Sequence, residues 1–350
     1  MSLHPVGVSD HAGKRVDQST DPVAATVERM VDESQIERSK RIQQRTGKTF
    51  HLATRLLPER IRHPTYVLYA FFRKADEVVD TEDPAPPPVQ RERLERFRDA
   101  ALGRIDTDDP VLAAFADIRE RHGIEPADID AFVDAMLTDI SKDRYEEYAE
   151  LEAYMDGSAA AVGRMMTSLM APDDPEAARP YATALGEAFQ LSNFIRDVRE
   201  DLVERDRVYL PRETLDRYDV SEEQLRRFEV TDGFRAAIRD ELARAEALYR
   251  RGVAGIALLP RDCQFGVLLA AVLYADHHRL VRRLDCDVLS TTPSLSLTRK
   301  LSLLARTRWH WLWSKDPEAV FRTVSVVPDA DRDRRPGGHN PGRAGNLPTR

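Results

Sequence analysis

The chain has 350 residues, of which 42% are hydrophobic and 32% are charged. This composition is typical of a globular protein, and the length allows either one large domain or two ordinary ones with a sizeable core. The formal net charge of -8 argues against a protein that binds nucleic acid, because such proteins carry clustered positive charge.

In chain order, the sequence begins and ends with segments that predict disordered tails. Residues 1–32 are polar and lack an apolar period. The end from about Pro328 to Arg350 is rich in Asp, Arg, Pro and Gly, and residues 321–350 are predicted as the second tail. Residues 33–320 are predicted to form one all-α domain, because apolar residues recur at spacings of three and four and alternating β-branched runs are missing. The helical spacing is found in Thr65–Val79, Val111–His122, Ile129–Ile140, Tyr181–Leu202, Phe234–Ala254 and Phe265–Leu284.

The same pattern predicts neither a membrane span nor a secretory leader. The longest apolar run, about Phe265–Ala275, is far shorter than the roughly 20 residues that a spanning helix needs. The polar N-terminus lacks the apolar core of a signal peptide. Cys263 and Cys286 fit neither a zinc-site spacing nor a disulfide framework, so reduced thiols are expected. We therefore expect a cytoplasmic protein, either soluble or peripheral at a membrane.

The first segment with candidate chemistry lies at the end of the Thr65–Val79 helix. At about 100° per residue, four of its side chains fall within roughly 60° of one another. They are Tyr69, Arg73, Asp76 and Asp80. Two carboxylates one turn apart suit magnesium, which commonly adds substrate phosphate to one or two protein carboxylates. A solvated acidic face is the alternative, since the same spacing recurs in Asp130 with Asp134 and in Asp139 with Asp143.

The second segment is a polar ladder on a helix that is otherwise apolar. Its members follow one another down one face: Gln190, Asn193, Asp197 and Asp201. Acids on a buried helix must be paired or must bind metal. Pairing with Arg196 or Arg199 is therefore the alternative to a metal site. The apolar neighbours that predict burial are Leu191, Phe194, Ile195, Val198 and Leu202.

These two segments resemble the two aspartate-rich motifs of the squalene/phytoene synthase family. The second continues into Arg205–Pro211, which resembles the family's Arg-x-Tyr-Leu-Pro ending. Thr46–Pro58 is similar to the family's N-terminal substrate segment, and Tyr154–Gly163 resembles its middle motif. The likeness runs from about Ile36 to Trp313 and keeps the motifs in family order.

The resemblance implies an all-α, single-domain helical bundle of the isoprenoid-synthase type around a central cavity. It implies a prenyltransferase that joins two prenyl diphosphates head to head with magnesium or manganese. The motifs look closest to the phytoene branch, in which two geranylgeranyl diphosphates give phytoene through a cyclopropyl (prephytoene) diphosphate in carotenoid biosynthesis, without a nicotinamide. Two departures affect the expected pocket shape: Ser158–Ala160 replaces a Val-Ala-Gly run, and Glu77 stands where a second Asp is common.

The resemblance also implies roles for individual residues. The metal ligands would be Asp76, Asp80, Asn193, Asp197 and Asp201. Contacts with substrate or diphosphate would come from Thr46, Gly47, Lys48, Thr49, Tyr69, Arg73, Gln190, Arg196 and Tyr274. The residues expected to act on the reacting groups themselves are Tyr154, Arg196 and Tyr274.

Other functions of the same kind of chain stay open at this point. A C30 enzyme that makes squalene or dehydrosqualene would share the chemistry, and squalene formation would add hydride from a nicotinamide. A non-catalytic scaffold would share the fold, although clustered acids would serve no purpose in it. Head-to-tail prenyltransferases and terpene cyclases also use acidic motifs, but Arg205–Pro211 fits them less well.

A basic segment near the C-terminus is rich in tryptophan and suggests two uses. Trp309 and Trp313 lie one turn apart and are expected to pack a terminal helix onto the core. Alternatively, Trp311 with Arg306 and Arg308 would form a foot on an anionic membrane. Release of a water-insoluble hydrocarbon would make peripheral membrane contact useful.

Overall fold

The computed structural model describes residues 53–81 and 83–329, and these residues fold as a bundle of helices. No β-strand occurs in these ranges, where a single parallel bridge joins Arg144 to Val208. The prediction of an all-α fold is confirmed. The α-helices are α1 (Glu59–Val79), α2 (Pro87–Ala101), α3 (Pro110–His122), α4 (Pro126–Asp139), α5 (Tyr148–Met155), α6 (Ala161–Met170), α7 (Pro175–Arg196), α8 (Val198–Arg205), α9 (Arg212–Arg217), α10 (Glu222–Arg226), α11 (Asp232–Ala254), α12 (Arg261–Arg283), α13 (Leu297–Ser314) and α14 (Pro317–Val324).

Proline and capping side chains define where several helices begin. Pro110 opens α3 and Pro175 opens α7, at positions where the missing proline N–H would have no partner within the helix. Just before α3, the Asp109 side chain accepts hydrogen bonds from the backbone N–H groups of Val111 and Leu112. These starts therefore follow from local sequence.

α7 is the central helix of the bundle and contacts α6, α11 and α12. On one side, Leu191, Phe194 and Ile195 belong to the larger hydrophobic cluster. On the other side, Leu185 and Ala188 belong to a second cluster. Because α7 is buried on most of its surface, the polar side chains that it carries are held inside the bundle.

The predicted helix Tyr181–Leu202 is longer at its start than expected and is interrupted near its end. α7 begins at Pro175, and regular helix geometry stops at Asp197, which has φ -101° and ψ 13°. The Asp197 N–H still donates to the Asn193 carbonyl at 2.8 Å, and the Asp197 carbonyl accepts from the Asp201 N–H at 2.8 Å. The second acidic motif is thus interrupted at Asp197 by an irregular turn between α7 and α8.

A turn of π-helix, Asp156–Ala160, joins α5 to α6 within the middle motif. A Cβ atom on Gly157 would lie 2.2 Å from the Ala131 carbonyl oxygen of α4. A Cβ atom on Gly186 of α7 would lie 2.5 Å from the Ala159 carbonyl oxygen. Only glycine permits these approaches, so the turn is wedged between α4 and α7. Turns of this kind occur frequently at functional sites.

The domain continues beyond the predicted boundary at residue 320. α14 extends to Val324, and Phe321, Val324 and Val327 are buried. The boundary was placed too early because these apolar side chains face inward and extend the core. The segments 1–52 and 330–350, which contain most of both predicted tails, lie outside the described residues.

The tryptophans of α13 have the opposite orientation to the one predicted. Trp311 is 6% exposed and lies near Phe265, whereas Trp309 is 61% exposed and Trp313 is 77% exposed. Since successive helix residues are 100° apart, Trp311 shares the inward face with the buried Leu303. Both predictions for this segment are therefore wrong: Trp309 and Trp313 do not pack on the core, and Trp311 is too buried to form a membrane foot.

Two further expectations concern the membrane and the cysteines. Within residues 53–81 and 83–329, no helix is long and apolar enough to cross a membrane. Cys263 and Cys286 are both buried and carry free thiols, as expected. Burial raises the pKa of Cys263 to about 12, so this thiol stays protonated and unreactive at neutral pH.

Candidate active site

Two adjoining cavities lie at the centre of the bundle. One is polar, with a volume of about 350 Å³, and the other is apolar, with a volume of about 230 Å³. Four residues line both cavities, so the two lie side by side. They are Ser158, Val162, Gln190 and Asn193. A polar cavity beside an apolar one suits a ligand with a charged head and a hydrocarbon tail.

Carboxylates from three directions line the polar cavity. Asp76 and Asp80 come from the end of α1, and Asp197 and Asp201 come from the irregular turn after α7 and from α8. Asp139 joins them from the last position of α4. The two acidic motifs, far apart in the sequence, therefore face the same space. The sequence did not identify Asp139 as a member of this group.

Two arginines that follow the second acidic motif link these carboxylates. Arg205 lies 3.3 Å from an Asp80 oxygen through Nε and 3.3 Å from an Asp201 oxygen through Nη1, so one guanidinium bridges both motifs. Arg207 Nη1 lies 3.2 Å from Asp80 and 3.8 Å from Asp139. Positive charge thus occupies the space between the acids, where a bound cation would compete with it.

The arginines inside the two motifs are paired with their own motif's acids. Arg73 Nη1 donates to Asp76 Oδ2 at 3.2 Å, and Arg196 Nε donates to Asp197 Oδ1 at 2.7 Å. The Arg pairing considered from the sequence is therefore present for Arg196. It is absent for Arg199, which instead donates to the Leu289 carbonyl oxygen at 2.6 Å. Of the two paired arginines, Arg196 lines the polar cavity.

Despite these pairs, burial still destabilises the charged form of several of these carboxylates. Loss of hydration raises the pKa of Asp76 to about 6, although Arg73 opposes the shift. Burial raises the pKa of Asp201 to about 7, and repulsion by Asp197 adds to this shift. Burial likewise raises the pKa of Asp139 to about 7. Raised pKa values at several neighbouring acids mean that additional positive charge would be bound favourably.

Asp139 is held in place by a tyrosine that the sequence did single out. The Tyr154 hydroxyl donates to Asp139 Oδ2 at 3.0 Å, while Asp139 Oδ1 is buried without a hydrogen-bond partner. Asp139 lies three residues after Met136 and seven after Phe132, both buried cavity-lining side chains. A carboxylate in helical register with buried apolar residues was the signal that would have found it.

The apolar cavity lies between α6, α7 and α12 and is closed by aliphatic and aromatic side chains. Tyr274 of α12 stacks on Phe189 of α7, with ring centroids 4.6 Å apart. Burial raises the pKa of Tyr274, so its hydroxyl stays protonated. Ser158 adds a polar atom at the junction, since its buried Oγ has no hydrogen-bond partner. Large apolar residues that line this cavity are Leu57, Met166, Met170, Leu185, Ile256, Leu259 and Val267.

The predicted site residues are distributed as follows. The polar cavity is lined by Asp76, Asp80, Tyr154, Gln190, Asn193, Arg196, Asp197 and Asp201. The apolar cavity is lined by Gln190, Asn193 and Tyr274. Two predicted residues on α1 line neither cavity, namely Tyr69 and Arg73. Those outside the described residues are Thr46, Gly47, Lys48 and Thr49.

The donors around the polar cavity fit a magnesium ion that shares its coordination with a ligand. In the described part of the chain, no three carboxylate, histidine or cysteine side chains lie close enough together to hold one ion by themselves. Magnesium seldom needs such a cage, because it keeps several waters and binds through one or two carboxylates plus phosphate oxygens. The pairs on α1 and on the α7–α8 turn offer this arrangement from two sides.

Comparison with known proteins relates the chain to one family. Residues 43–300 match the family model described as squalene/phytoene synthase. Phytoene synthase from Cereibacter sphaeroides is 34% identical over 278 residues, which cover 77% of this chain and 76% of the relative. The 15-cis-phytoene synthase of Synechocystis sp. is 33% identical over 243 residues, which cover 65% of this chain and 71% of the relative.

Solved structures with the same fold include a dehydrosqualene synthase and a squalene synthase. A dehydrosqualene synthase in complex with a ligand matches with a TM-score of 0.73 at 25% identity, covering 81% of this chain and 98% of that chain. Squalene synthase HpnC from Alicyclobacillus acidocaldarius matches with a TM-score of 0.66 at 23% identity, covering 73% of this chain and 96% of that chain. The second likeness concerns the fold alone.

Proposed function

The chain belongs to the squalene/phytoene synthase family, and from this premise we propose that it joins two geranylgeranyl diphosphates head to head into phytoene. The observation that carries the proposal is the juxtaposition of both acidic motifs around one polar cavity that adjoins an apolar cavity. The named relatives that match at 33–34% identity are phytoene synthases, which favours the C40 product.

We propose that the acids of the two motifs hold magnesium ions together with the substrate diphosphates. The ligands on the first motif are Asp76 and Asp80, and those on the second are Asn193, Asp197 and Asp201. When bound, magnesium supplies neutralisation of the negative charge that develops on the leaving diphosphate. Manganese suits the same oxygen donors, whereas no nicotinamide is needed for this product.

The arginines have a second task in this proposal. Arg205 and Arg207 neutralise the acids in the free protein, and they would separate from Asp80 if a magnesium ion were held there. Their guanidinium groups would then donate hydrogen bonds to diphosphate oxygens, together with Arg196. The unpaired Ser158 hydroxyl supplies one more donor at the junction of the cavities. The positive charge of these arginines would therefore move from the protein carboxylates to the diphosphate oxygens within the same cavity.

In this proposal the two cavities hold different parts of the reacting substrates. The allylic C–O bond of the first substrate breaks, and its electron pair leaves with the diphosphate in the polar cavity. The allylic cation is protected from water by the apolar walls, where Tyr274 and Phe189 present aromatic faces. The double bond of the second chain attacks this cation, and loss of a proton from the carbon that carries the second diphosphate closes the ring to give a cyclopropyl diphosphate. A second C–O cleavage, rearrangement and loss of a proton from carbon yield the central triene of phytoene.

Tyr154 lines the polar cavity, in which this proposal places the diphosphate. Burial raises its pKa well above the ordinary value, so the hydroxyl remains a hydrogen-bond donor. Its present acceptor is Asp139. We propose that this hydrogen bond fixes the position of the Tyr154 ring and hydroxyl beside the reacting groups, which makes Asp139 a positioning residue.

The low solubility of the proposed product in water indicates where in the cell the protein works. Phytoene is a hydrocarbon without a polar group, so its transfer from the apolar cavity into water is strongly unfavourable. We therefore propose that the protein works at the cytoplasmic surface of a membrane, into which the product is released. This contact is peripheral, in keeping with the lack of a spanning helix among the described residues.

The test is incubation of the protein with C15 and C20 diphosphates and magnesium, without reductant, followed by identification of the hydrocarbon. A C40 product from the C20 substrate is expected. A C30 product that dominates when both substrates are offered would replace the proposal with its second candidate, a dehydrosqualene or squalene synthase. That candidate is favoured by the match to a dehydrosqualene synthase structure at a TM-score of 0.73.

A further inference from the structure

The outward face of α13 carries large apolar side chains that are not packed on the core. Leu301 is 51% exposed and Leu312 is 50% exposed, and Trp309 and Trp313 contact each other with ring centroids 6.1 Å apart. On a helix these four residues lie within about 120° of one another. Single exposed apolar residues are ordinary in soluble proteins, but a contiguous patch marks an interaction surface.

The charge of α13 contrasts with that of the chain. The helix contains no acidic residue, whereas the whole chain has a net charge of -8. Arg306 and Arg308 are exposed and flank the apolar stripe on its two sides. The acids that follow are engaged locally: Asp316 accepts from the Glu318 backbone N–H, and the Glu318 side chain pairs with Arg322. The basic residues of α13 are Arg299, Lys300, Arg306 and Arg308.

The helix that carries this face, α13, packs against α12, which lines the apolar cavity. Phe265 of α12 contacts Trp311, with ring centroids 6.2 Å apart, and the Arg308 guanidinium lies 5.4 Å from the same Phe265 ring. The residues that follow it, Gly266 and Val267, line the apolar cavity. The first half of α12 thus has the cavity on one side and α13 on the other. One helix diameter, about 10 Å, separates the two.

We propose that the outward face of α13 docks the protein onto an anionic lipid bilayer. Trp309 and Trp313, with Leu301 and Leu312, enter the interfacial layer, where tryptophan and leucine are favoured. The exposed arginines contact the head-group phosphates. The purpose of this docking rests on the proposed function, since a hydrocarbon product would leave near the bilayer. The docking itself is measured without substrate.

The test is co-sedimentation of the full chain with vesicles of phosphatidylcholine alone or of phosphatidylcholine and phosphatidylglycerol in equal parts. We expect binding to the anionic vesicles only. The double variant Trp309→Ser/Trp313→Ser and the double variant Arg306→Glu/Arg308→Glu should each lower the partition coefficient by at least about tenfold. Added salt should weaken the binding of the native chain.

Matched controls separate this face from general properties of the chain. Ile105→Ser/Val89→Ser removes two exposed apolar side chains elsewhere, and Arg121→Glu/Arg227→Glu makes the same change in net charge elsewhere. Both controls should bind vesicles as the native chain does.

Three results would overturn the proposal. They are absence of vesicle binding by the native chain, equal loss in variants and controls, and unchanged vesicle binding in the tryptophan variant. If that variant instead converts a dimer to a monomer in sedimentation velocity without altering vesicle binding, the face is a contact between two copies. Turnover of detergent-dispersed substrate should be retained in both α13 variants, which keeps failure of docking distinct from failure of the proposed function.

Discussion

Two pairs of aspartates with the same spacing have different surroundings in α1 and α4. Asp76 and Asp80 line the polar cavity, while Asp130 and Asp134 lie on the surface, where both face Arg98. Spacing alone places two carboxylates within reach of one cation. The difference is that the α1 pair faces a second set of acids across a partly desolvated space, and the α4 pair faces water.

A pair of aspartates at the end of α4 shows the same contrast between its own two members. Asp139 and Asp143 also lie four residues apart, yet the Asp139 side chain is 6% exposed and the Asp143 side chain is 61% exposed. Only Asp139 belongs to the polar cavity. The pattern of an acid pair therefore cannot distinguish a site from a solvated face, whereas the neighbours of each acid can.

The largest effect is expected from the matched pair of variants Asp80→Asn and Asp134→Asn. Each removes a carboxylate that is paired with arginine, but only Asp80 faces the second motif. Asp80→Asn should lower phytoene formation by more than about a hundredfold, since changes beside metal ligands alone cost 10–100-fold. Asp134→Asn should leave it unchanged. Product formation at saturating magnesium is the measurement, and equal activity of the two variants would remove the distinction between the regions.

A smaller effect is expected from Asp139→Asn, with Asp143→Asn as its control. The amide keeps an acceptor for the Tyr154 hydroxyl but loses the negative charge beside Arg207. Turnover should fall by about tenfold, the lower end for a residue that orients another group. The positioning role predicts that kcat falls while KM stays nearly constant, whereas a lost substrate contact would raise KM. No change in kcat would exclude Asp139 from the mechanism.

The smallest effect concerns stability and pH in the absence of metal. Asp76, Asp139 and Asp201 have pKa values of about 6 to 7 in the folded chain, above the ordinary value near 4. Between about pH 4 and pH 7 the folded state therefore binds protons that the unfolded state has released. These groups should lower the free energy of unfolding as pH rises through this window.

Urea unfolding with EDTA at about pH 5 and about pH 8 measures this dependence. Asp139→Asn should show a weaker loss of stability with rising pH than the native chain, because one of the three groups no longer titrates. Asp143→Asn should behave as the native chain does. Identical pH dependence in the native chain and in Asp139→Asn would show that Asp139 is not desolvated in the folded protein.

Local features made much of the fold and of the site predictable. These features are the helical period, proline starts such as Pro110 and Pro175, and acid ladders at one-turn spacing. Each of them involves only residues that are a few positions apart in the sequence. That is why the helical class was predicted correctly, and why both acidic motifs could be found before it was known that they share one cavity. The roles of the individual site residues stay predictions.

Long-range packing explains what the sequence did not predict. Arg205 bridges Asp80 and Asp201 only because α1 and α8 meet, and nothing near position 80 indicates this. The tryptophans of α13 are spaced by two residues. The sequence is therefore equally consistent with Trp311 facing inward and with Trp309 and Trp313 facing inward. Phe265 of α12 decides which of them is buried.

The central claim is that the two acidic motifs act together on one magnesium–diphosphate group. The most direct test is calorimetric titration of magnesium-dependent pyrophosphate binding in the native chain, in Asp80→Asn, in Asp197→Asn and in the double variant. Each single variant should weaken binding by at least about tenfold, and the double variant should be little worse than either, because both carboxylates serve one group. Additive losses in the double variant, or native affinity in either single variant, would contradict the claim.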